Sequence, residues 1–195
     1  MSMNGSLRSL SPAVVEALRL DAGLVAALTA PSFAVAPSPG ILAIPGMKEH
    51  FAAISAARDR LAKVASALDV GPVVEIDKAW HGVHFVLTGS AEPDGSVLGN
   101  VILGGEEIGD DAGYGPARLI DPSDVRLISE ALATFDDGAL AARFDADVMT
   151  DLGIYPDVWD EDGETIEFIA DAVDVVRRAY TDAATKGHGM LVWLS

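Results

Sequence analysis

The chain has 195 residues, a net charge of −17 and no cysteine. A chain of this length can fold as one ordinary domain without a stabilising cross-link, and the lack of cysteine excludes disulfides, thiolate catalysis and cysteine-ligated zinc. We expect neither a signal peptide nor a membrane span, since the first ten residues are polar and no apolar run reaches about 18 residues. The predicted location is the cytoplasm.

The acidic charge is distributed unevenly along the chain. Residues 1–70 carry six Lys/Arg and five Asp/Glu, whereas residues 71–195 carry seven and twenty-five. A negative field of this strength disfavours binding to nucleic acids and to anionic membranes. Two interpretations remain: the charge serves solubility, or part of it forms an acidic face that binds a basic protein partner.

The N-terminal part predicts helices on either side of a loop. Ser11 and Pro12 are typical of a helix start. Four of the ten prolines fall within residues 31–46, and because each proline fixes φ and removes a hydrogen-bond donor, this Pro-rich segment predicts an extended loop. Apolar residues at three- and four-residue spacing then predict a helix from Lys48 to Leu68.

The central part predicts two strands. Residues 73–76 read VVEI, and residues 82–89 read GVHFVLTG. In the second segment Val83, Phe85 and Leu87 alternate with other residues, which predicts a strand with one apolar face.

The C-terminal part predicts helices and a last strand. Asp121 and Pro122 begin one helix, residues 138–144 form a short one, and Thr165 caps the longest. The apolar run GMLVWL, at 189–194, predicts a strand buried within a sheet. Strands that alternate with long helices predict an α/β fold, with a single three-layer domain over residues 1–195 and a mixed sheet flanked by helices.

Standard cofactor motifs are incomplete. Gly105 stands where a P-loop needs its lysine, and Arg118 stands where a dinucleotide-binding turn needs its third glycine. The acidic segment 158–169 has Val158 and Ile169 at the first and last positions of a calcium loop, so two key ligands are missing. We therefore predict no metal and no cofactor.

His81 and His84 lie three positions apart. On a helix this spacing would place both rings on one face, where they could chelate a metal, but on the predicted strand they point to opposite faces. We therefore expect His84 to form a hydrogen bond near the sheet and His81 to lie at its edge.

The segment DKAWHGVHFVLTG, at 77–89, resembles a block found in the YfbM-like family of bacterial proteins, a domain of unknown function. The matching residues are Asp77, Lys78, Trp80, His84, Phe85, Leu87, Thr88 and Gly89. LGGEEIG, GYGPARLIDPSDV and IYP further along the chain are also similar to the family. The resemblance implies a single three-layer α/β domain, places His81 at a variable position and implies no particular activity.

Three functional hypotheses follow. The first is a non-catalytic binding protein that uses an acidic face, for example one containing Asp160, Glu161 and Asp162. The second is a small-ligand binder or an enzyme with a pocket around Trp80, His84 and the Gly104-Gly105 loop. The third is that this block only stabilises the sheet. The candidate ligand-binding residues of the second hypothesis are Trp80, His84, Thr88, Glu106, Tyr114 and Arg118.

Overall fold

A computed structural model describes residues 2–30, 38–66, 69–111, 114–159 and 163–195. Within these ranges the strands form one five-stranded sheet with the order β2-β1-β5-β4-β3. The strands are β1 (Gly5–Leu10), β2 (Val70–Asp77), β3 (Glu106–Ile108), β4 (Ala117–Ile120) and β5 (Gly189–Leu194).

Every described strand pairing is antiparallel. The predicted α/β class, with helices flanking a sheet, is confirmed, but the sheet is not mixed. A long helical connection can return the chain to either end of a sheet, so alternation of helices and strands does not determine strand direction. β5 lies between β1 and β4 and is buried almost throughout, as predicted for the final apolar run.

Helices cover both faces of this sheet. Their bounds are α1 (Pro12–Leu20), α2 (Val25–Thr29), α3 (Pro39–Leu42), α4 (Met47–Leu61), α5 (Trp80–Thr88), α6 (Pro122–Thr134), α7 (Asp137–Arg143), α8 (Ala146–Asp151) and α9 (Gly163–Lys186). Short 3-10 helices occur at Ala22–Leu24 and Gly99–Val101. Among the described residues, none of the helices has an apolar stretch long enough to cross a bilayer.

Several predicted boundaries differ from the observed ones. α4 ends at Leu61 instead of Leu68, because the chain turns at residues 62–64 and Val64 is 52% exposed instead of packed. α9 begins at Gly163, before the predicted Thr165 cap. Residues 31–37 of the Pro-rich segment lie outside the described residues. An extended loop was predicted for the whole Pro-rich segment, but its later part contains α3. Pro39 is compatible with this helix because it lies in the first turn.

Two apolar clusters lie on opposite faces of the sheet. Met190 and Val192 of β5 belong to a cluster with α5, α6 and α9, whereas Leu191 and Trp193 belong to a cluster with α1 and α2. Successive side chains of a strand point to opposite faces, so a central strand that is apolar at every position requires cover on both sides. The result is the predicted three-layer arrangement.

The segment GVHFVLTG is part of helix α5 and not a strand. Every residue of this helix from Gly82 to Leu87 is buried, so the alternation of Val83, Phe85 and Leu87 does not mark one apolar face. A short apolar run cannot be assigned to helix or strand by periodicity alone. Gly89 ends the helix with φ of +79° and donates its N–H to the Phe85 carbonyl, which makes the Thr-Gly pair a helix end.

Candidate functional site

Helix α5 packs closely against α9 at Gly82, which has no side chain. A Cβ atom on Gly82 would lie 2.5 Å from Ile169 Cδ1 and 2.6 Å from Trp159 Cη2. Glycine therefore permits the close approach of the two helices. This packing fixes the position of Trp80, His84 and Thr88, which lie four residues apart on α5 and so share one side of it.

The two histidines lie on one face of α5, so the prediction that they point to opposite faces is wrong. His81 Nδ1 accepts a hydrogen bond of 3.0 Å from the Tyr155 N–H, and its Nε2 lies 3.0 Å from the Ala91 carbonyl oxygen. His84 Nε2 lies 3.1 Å from the Glu92 carbonyl oxygen. Because carbonyl oxygens only accept, both rings carry their proton on Nε2. His81, at a variable position of the family block, thus joins α5 to two other segments.

Trp80 and His84 each have one buried polar atom without a partner in the part of the chain that the structure describes. These atoms are Trp80 Nε1, a hydrogen-bond donor, and His84 Nδ1, an acceptor when Nε2 is protonated. His84 is fully buried, and Trp80 is 7% exposed and stacks on His81 with ring centroids 4.7 Å apart. One helical turn therefore presents a donor and an acceptor that no described residue satisfies.

Burial keeps both rings neutral. It lowers the pKa of His81 and of His84, and in each case desolvation outweighs the hydrogen bond from the ring to a backbone carbonyl. At neutral pH the Nδ1 atoms are therefore acceptors and not donors.

Thr88 serves the end of α5. Its Oγ1 donates to the His84 carbonyl oxygen at 2.8 Å and accepts from the Ser90 N–H at 3.0 Å. These contacts satisfy backbone groups at a helix C-terminus. They account for this hydroxyl without a ligand.

Glu106, Tyr114 and Arg118 lie apart from the α5 residues. Glu106 accepts from Arg19 Nε at 3.1 Å, on the sheet face covered by α1, whereas α5 covers the opposite face. Arg118 Nη2 lies 3.0 Å from Glu107 Oε1, and Tyr114 is half-buried in the connection between β3 and β4. Within the described residues, no hydrogen bond or ion pair links these three residues to the α5 set.

The Gly104-Gly105 loop has a packing explanation. A Cβ on Gly104 would lie 2.4 Å from Asn100 Cα, and one on Gly105 would lie 2.7 Å from the Leu119 carbonyl oxygen. Gly105 also has φ of +92°, a conformation that side chains other than glycine rarely adopt. The two glycines therefore allow the loop to pass between the Gly99–Val101 turn and β4.

A groove of about 690 Å³ opens on the other side of the sheet, between α2, α4 and the ends of β3 and β4. Its walls include Val25, Phe51, Ile54 and Trp193. None of the six candidate residues lines it. Gly109, in the segment EEIGDD, is the sequence feature that relates to this groove. A Cβ on Gly109 would lie 3.1 Å from the Val25 Cβ, so this glycine lets the end of β3 pass close to α2.

A second surface is rich in carboxylates. Residues 136–157, which include α7 and α8, contain six aspartates and one cation, Arg143. Arg143 Nη1 donates to the carbonyl oxygens of Val86 and Leu87, so its guanidinium is bound to the end of α5. In the described part of the chain, none of these six carboxylates forms a salt bridge. We call the exposed carboxylates of Asp147, Asp151 and Asp157 the acidic surface.

The acidic surface also exposes apolar side chains. Val148 and Leu152 lie four residues apart on α8 and at its end, and they are 41% and 48% exposed. Val158 is 67% exposed. Asp160, Glu161 and Asp162, named above for an acidic face, lie outside the described residues. Searched over the described residues, no group of three or more His, Asp or Glu side chains is arranged to hold a metal ion.

A profile of the family described as "Domain of unknown function (DUF1877)" matches residues 1–193. The chain belongs to this family. A solved structure described as a protein of unknown function, YfbM, from Escherichia coli is 17% identical in sequence, with a TM-score of 0.63, and the match covers 98% of this chain and 99% of that one. At this identity the likeness concerns the fold. No curated protein matches the chain.

These matches confirm the resemblance found in the sequence to the YfbM-like family. In this DUF1877 member, the matching block spans the end of β2 and all of α5. Asp77 has φ of +47° at the end of the strand, and Gly89 has a positive φ at the end of the helix. Part of the block therefore encodes the two turns at the ends of α5.

Proposed function

We propose that this member of the DUF1877 family is a non-catalytic cytoplasmic binding protein that engages a basic protein partner through the acidic surface. The observation that carries the proposal is the set of exposed carboxylates at Asp147, Asp151 and Asp157, which have no salt bridge within the described residues. Unpaired like charges favour a partner of opposite charge, mainly by steering its approach and selecting against acidic partners.

The exposed apolar residues beside these carboxylates indicate the character of the partner. Val148 on α8 and Leu152 directly after it present a small apolar stripe, and an amphipathic segment with basic and apolar residues would contact both the stripe and the carboxylates. Charge alone would attract any cation, whereas the stripe adds a contact that depends on shape and apolar area.

A defined probe tests this proposal. An amphipathic Lys/Leu peptide, labelled with a fluorophore, is titrated with the protein, and its anisotropy is compared with that of a Glu/Leu peptide of the same length. The triple variant Asp147→Asn, Asp151→Asn and Asp157→Asn removes the carboxylates. Because an exposed ion pair contributes roughly 0.2–1 kcal/mol, we expect the Lys/Leu affinity to fall by about threefold to a hundredfold.

A matched variant separates a specific surface from general attraction to an acidic protein. Glu167→Gln, Asp171→Asn and Asp182→Asn change the net charge by the same amount on exposed positions of α9. The proposal expects this variant to bind almost as tightly as the unmodified protein. Equal loss in both variants, or no loss in the first, would contradict it.

The second candidate is a small ligand held by Trp80 and His84, and the two unsatisfied atoms favour it. A primary amide carries the complementary groups, since its carbonyl oxygen accepts from Trp80 Nε1–H and its N–H donates to His84 Nδ1. Acetamide is the probe, and the indole N–H resonance of Trp80 is the readout. We expect a saturable shift that is lost in His84→Phe. Absence of a saturable shift in the unmodified protein rules this candidate out.

A further inference from the structure

We propose that the groove between α2 and α4 binds a small apolar molecule with a single cationic amine. This groove lies on the sheet face opposite α5, so the inference is independent of both candidates above. Its volume of about 690 Å³ falls in the range of cavities that hold small organic ligands, roughly 300–1,000 Å³.

The apolar part of the ligand follows from the walls. Val25 and Ala26 of α2 face Met47, Phe51 and Ile54 of α4 across the groove. Trp193, at the end of β5, also lines it and is 8% exposed. Walls of this composition bind a molecule mainly by removing apolar area from water.

The cationic group follows from the charged lining. Among the described residues that line the groove there is no lysine or arginine, and the titratable side chains are the carboxylates of Asp110 and Asp111 and the imidazole of His50. Asp111 Oδ1 accepts from the Gly115 N–H at 3.0 Å, so this side chain also shapes its own loop. Asp110 is exposed and forms no salt bridge with the described residues. Its carboxylate is available to an ammonium group.

The backbone places Asp110 at the groove. Gly109 has φ of +80°, and its Cα passes so close to α2 that a Cβ would lie 3.1–3.3 Å from three atoms of Val25. β3 therefore ends against the apolar wall, and the next residue is the carboxylate. The apolar wall and the negative charge are adjacent for this reason.

Three aromatic probes that differ only in their head group test the inference. Phenylbutylamine, phenylbutanol and phenylbutyrate are each titrated up to millimolar concentration into the full chain by isothermal titration calorimetry, with tryptophan fluorescence as a second readout. We expect the amine to bind most tightly and the carboxylate most weakly. Equal binding of amine and carboxylate, or no binding of the amine, overturns the proposal.

Two pairs of variants locate the binding. Ala53→Phe adds bulk to a residue of the groove lining, whereas Ala56→Phe adds the same bulk at an exposed α4 position that is not part of it. The amine should lose its binding in the first variant and keep it in the second. Asp110→Asn should weaken the amine by about twofold to fivefold and leave the alcohol unchanged, since an exposed ion pair contributes little. If Ala53→Phe leaves amine binding intact, the site is elsewhere and the inference fails.

Discussion

Replacing Tyr180 by phenylalanine is expected to destabilise the protein measurably. Tyr180 lies in α9 and is fully buried, and its hydroxyl donates to the Val101 carbonyl oxygen at 2.7 Å. Val101 is also fully buried and belongs to the 3-10 turn that precedes the Gly104-Gly105 loop. This hydrogen bond therefore joins the longest described helix to the turn that leads into the Gly104-Gly105 loop.

The magnitude follows from what the substitution leaves behind. Phenylalanine keeps the ring and its packing, so the apolar contribution is almost unchanged. The Val101 carbonyl oxygen loses its side-chain donor in a place that water does not reach, and an unsatisfied buried polar group costs about 1–3 kcal/mol. For a domain of this size, each 1 kcal/mol lowers the melting temperature by roughly 2–4 °C, so we expect a decrease of about 2–12 °C.

Urea unfolding followed by circular dichroism measures the change in the free energy of unfolding. Tyr114→Phe is the matched control, because Tyr114 is half-buried and its hydroxyl makes no hydrogen bond with the described residues. We expect that control to lie within about 0.5 kcal/mol of the unmodified protein. If Tyr180→Phe is as stable as Tyr114→Phe, the argument from the buried carbonyl oxygen is wrong.

Three further predictions concern pH, the glycine loop and α5. Burial lowers the pKa of His81, His84 and His188 in the folded protein. As the pH falls below about 6.5, the unfolded chain therefore takes up protons before the folded one, and the free energy of unfolding decreases. The variant His84→Gln should weaken this pH dependence in melting curves recorded between pH 7 and pH 5. Gly105→Ala should destabilise the protein more than Gly115→Ala. Both glycines have a positive φ, but only a Cβ at position 105 would meet the Leu119 carbonyl oxygen, at 2.7 Å. Equal unfolding midpoints of the two variants in urea would contradict this. Arg143→Gln should cost about 1 kcal/mol, since its guanidinium donates to carbonyl oxygens at the end of α5, and hydrogen exchange at that end of α5 should become faster.

Several elements were predictable because their signals are local. α6 begins at Pro122 after Asp121, as expected from a proline that needs no hydrogen-bond donor in the first turn. The apolar run at the end of the chain predicted a buried strand, and β5 lies between two other strands. β1 was not predicted, since GSLRSL is short and partly polar, and its residues become strand only by pairing with β2 and β5.

The candidate site was predicted less well, because its members depend on distant contacts. Trp80 and His84 do lie on one helix, but Glu106 lies on the opposite face of the sheet with Arg19 as its partner. No pattern along the chain records on which face of a sheet a strand residue will point, since that depends on the register with its neighbours.

By itself the sequence determined the family, the α/β class, the acidic character and the starts of α1 and α6, which Ser11-Pro12 and Asp121-Pro122 mark, because each of these depends on residue identity or on neighbours along the chain. The tertiary structure decided that residues 80–88 form a helix, that the sheet is antiparallel and that Asp110 lies beside the apolar wall of a groove. The physical reason is that a short apolar segment suits a buried helix or a buried strand equally, and the packing partner, here α9 against Gly82, determines which of them forms.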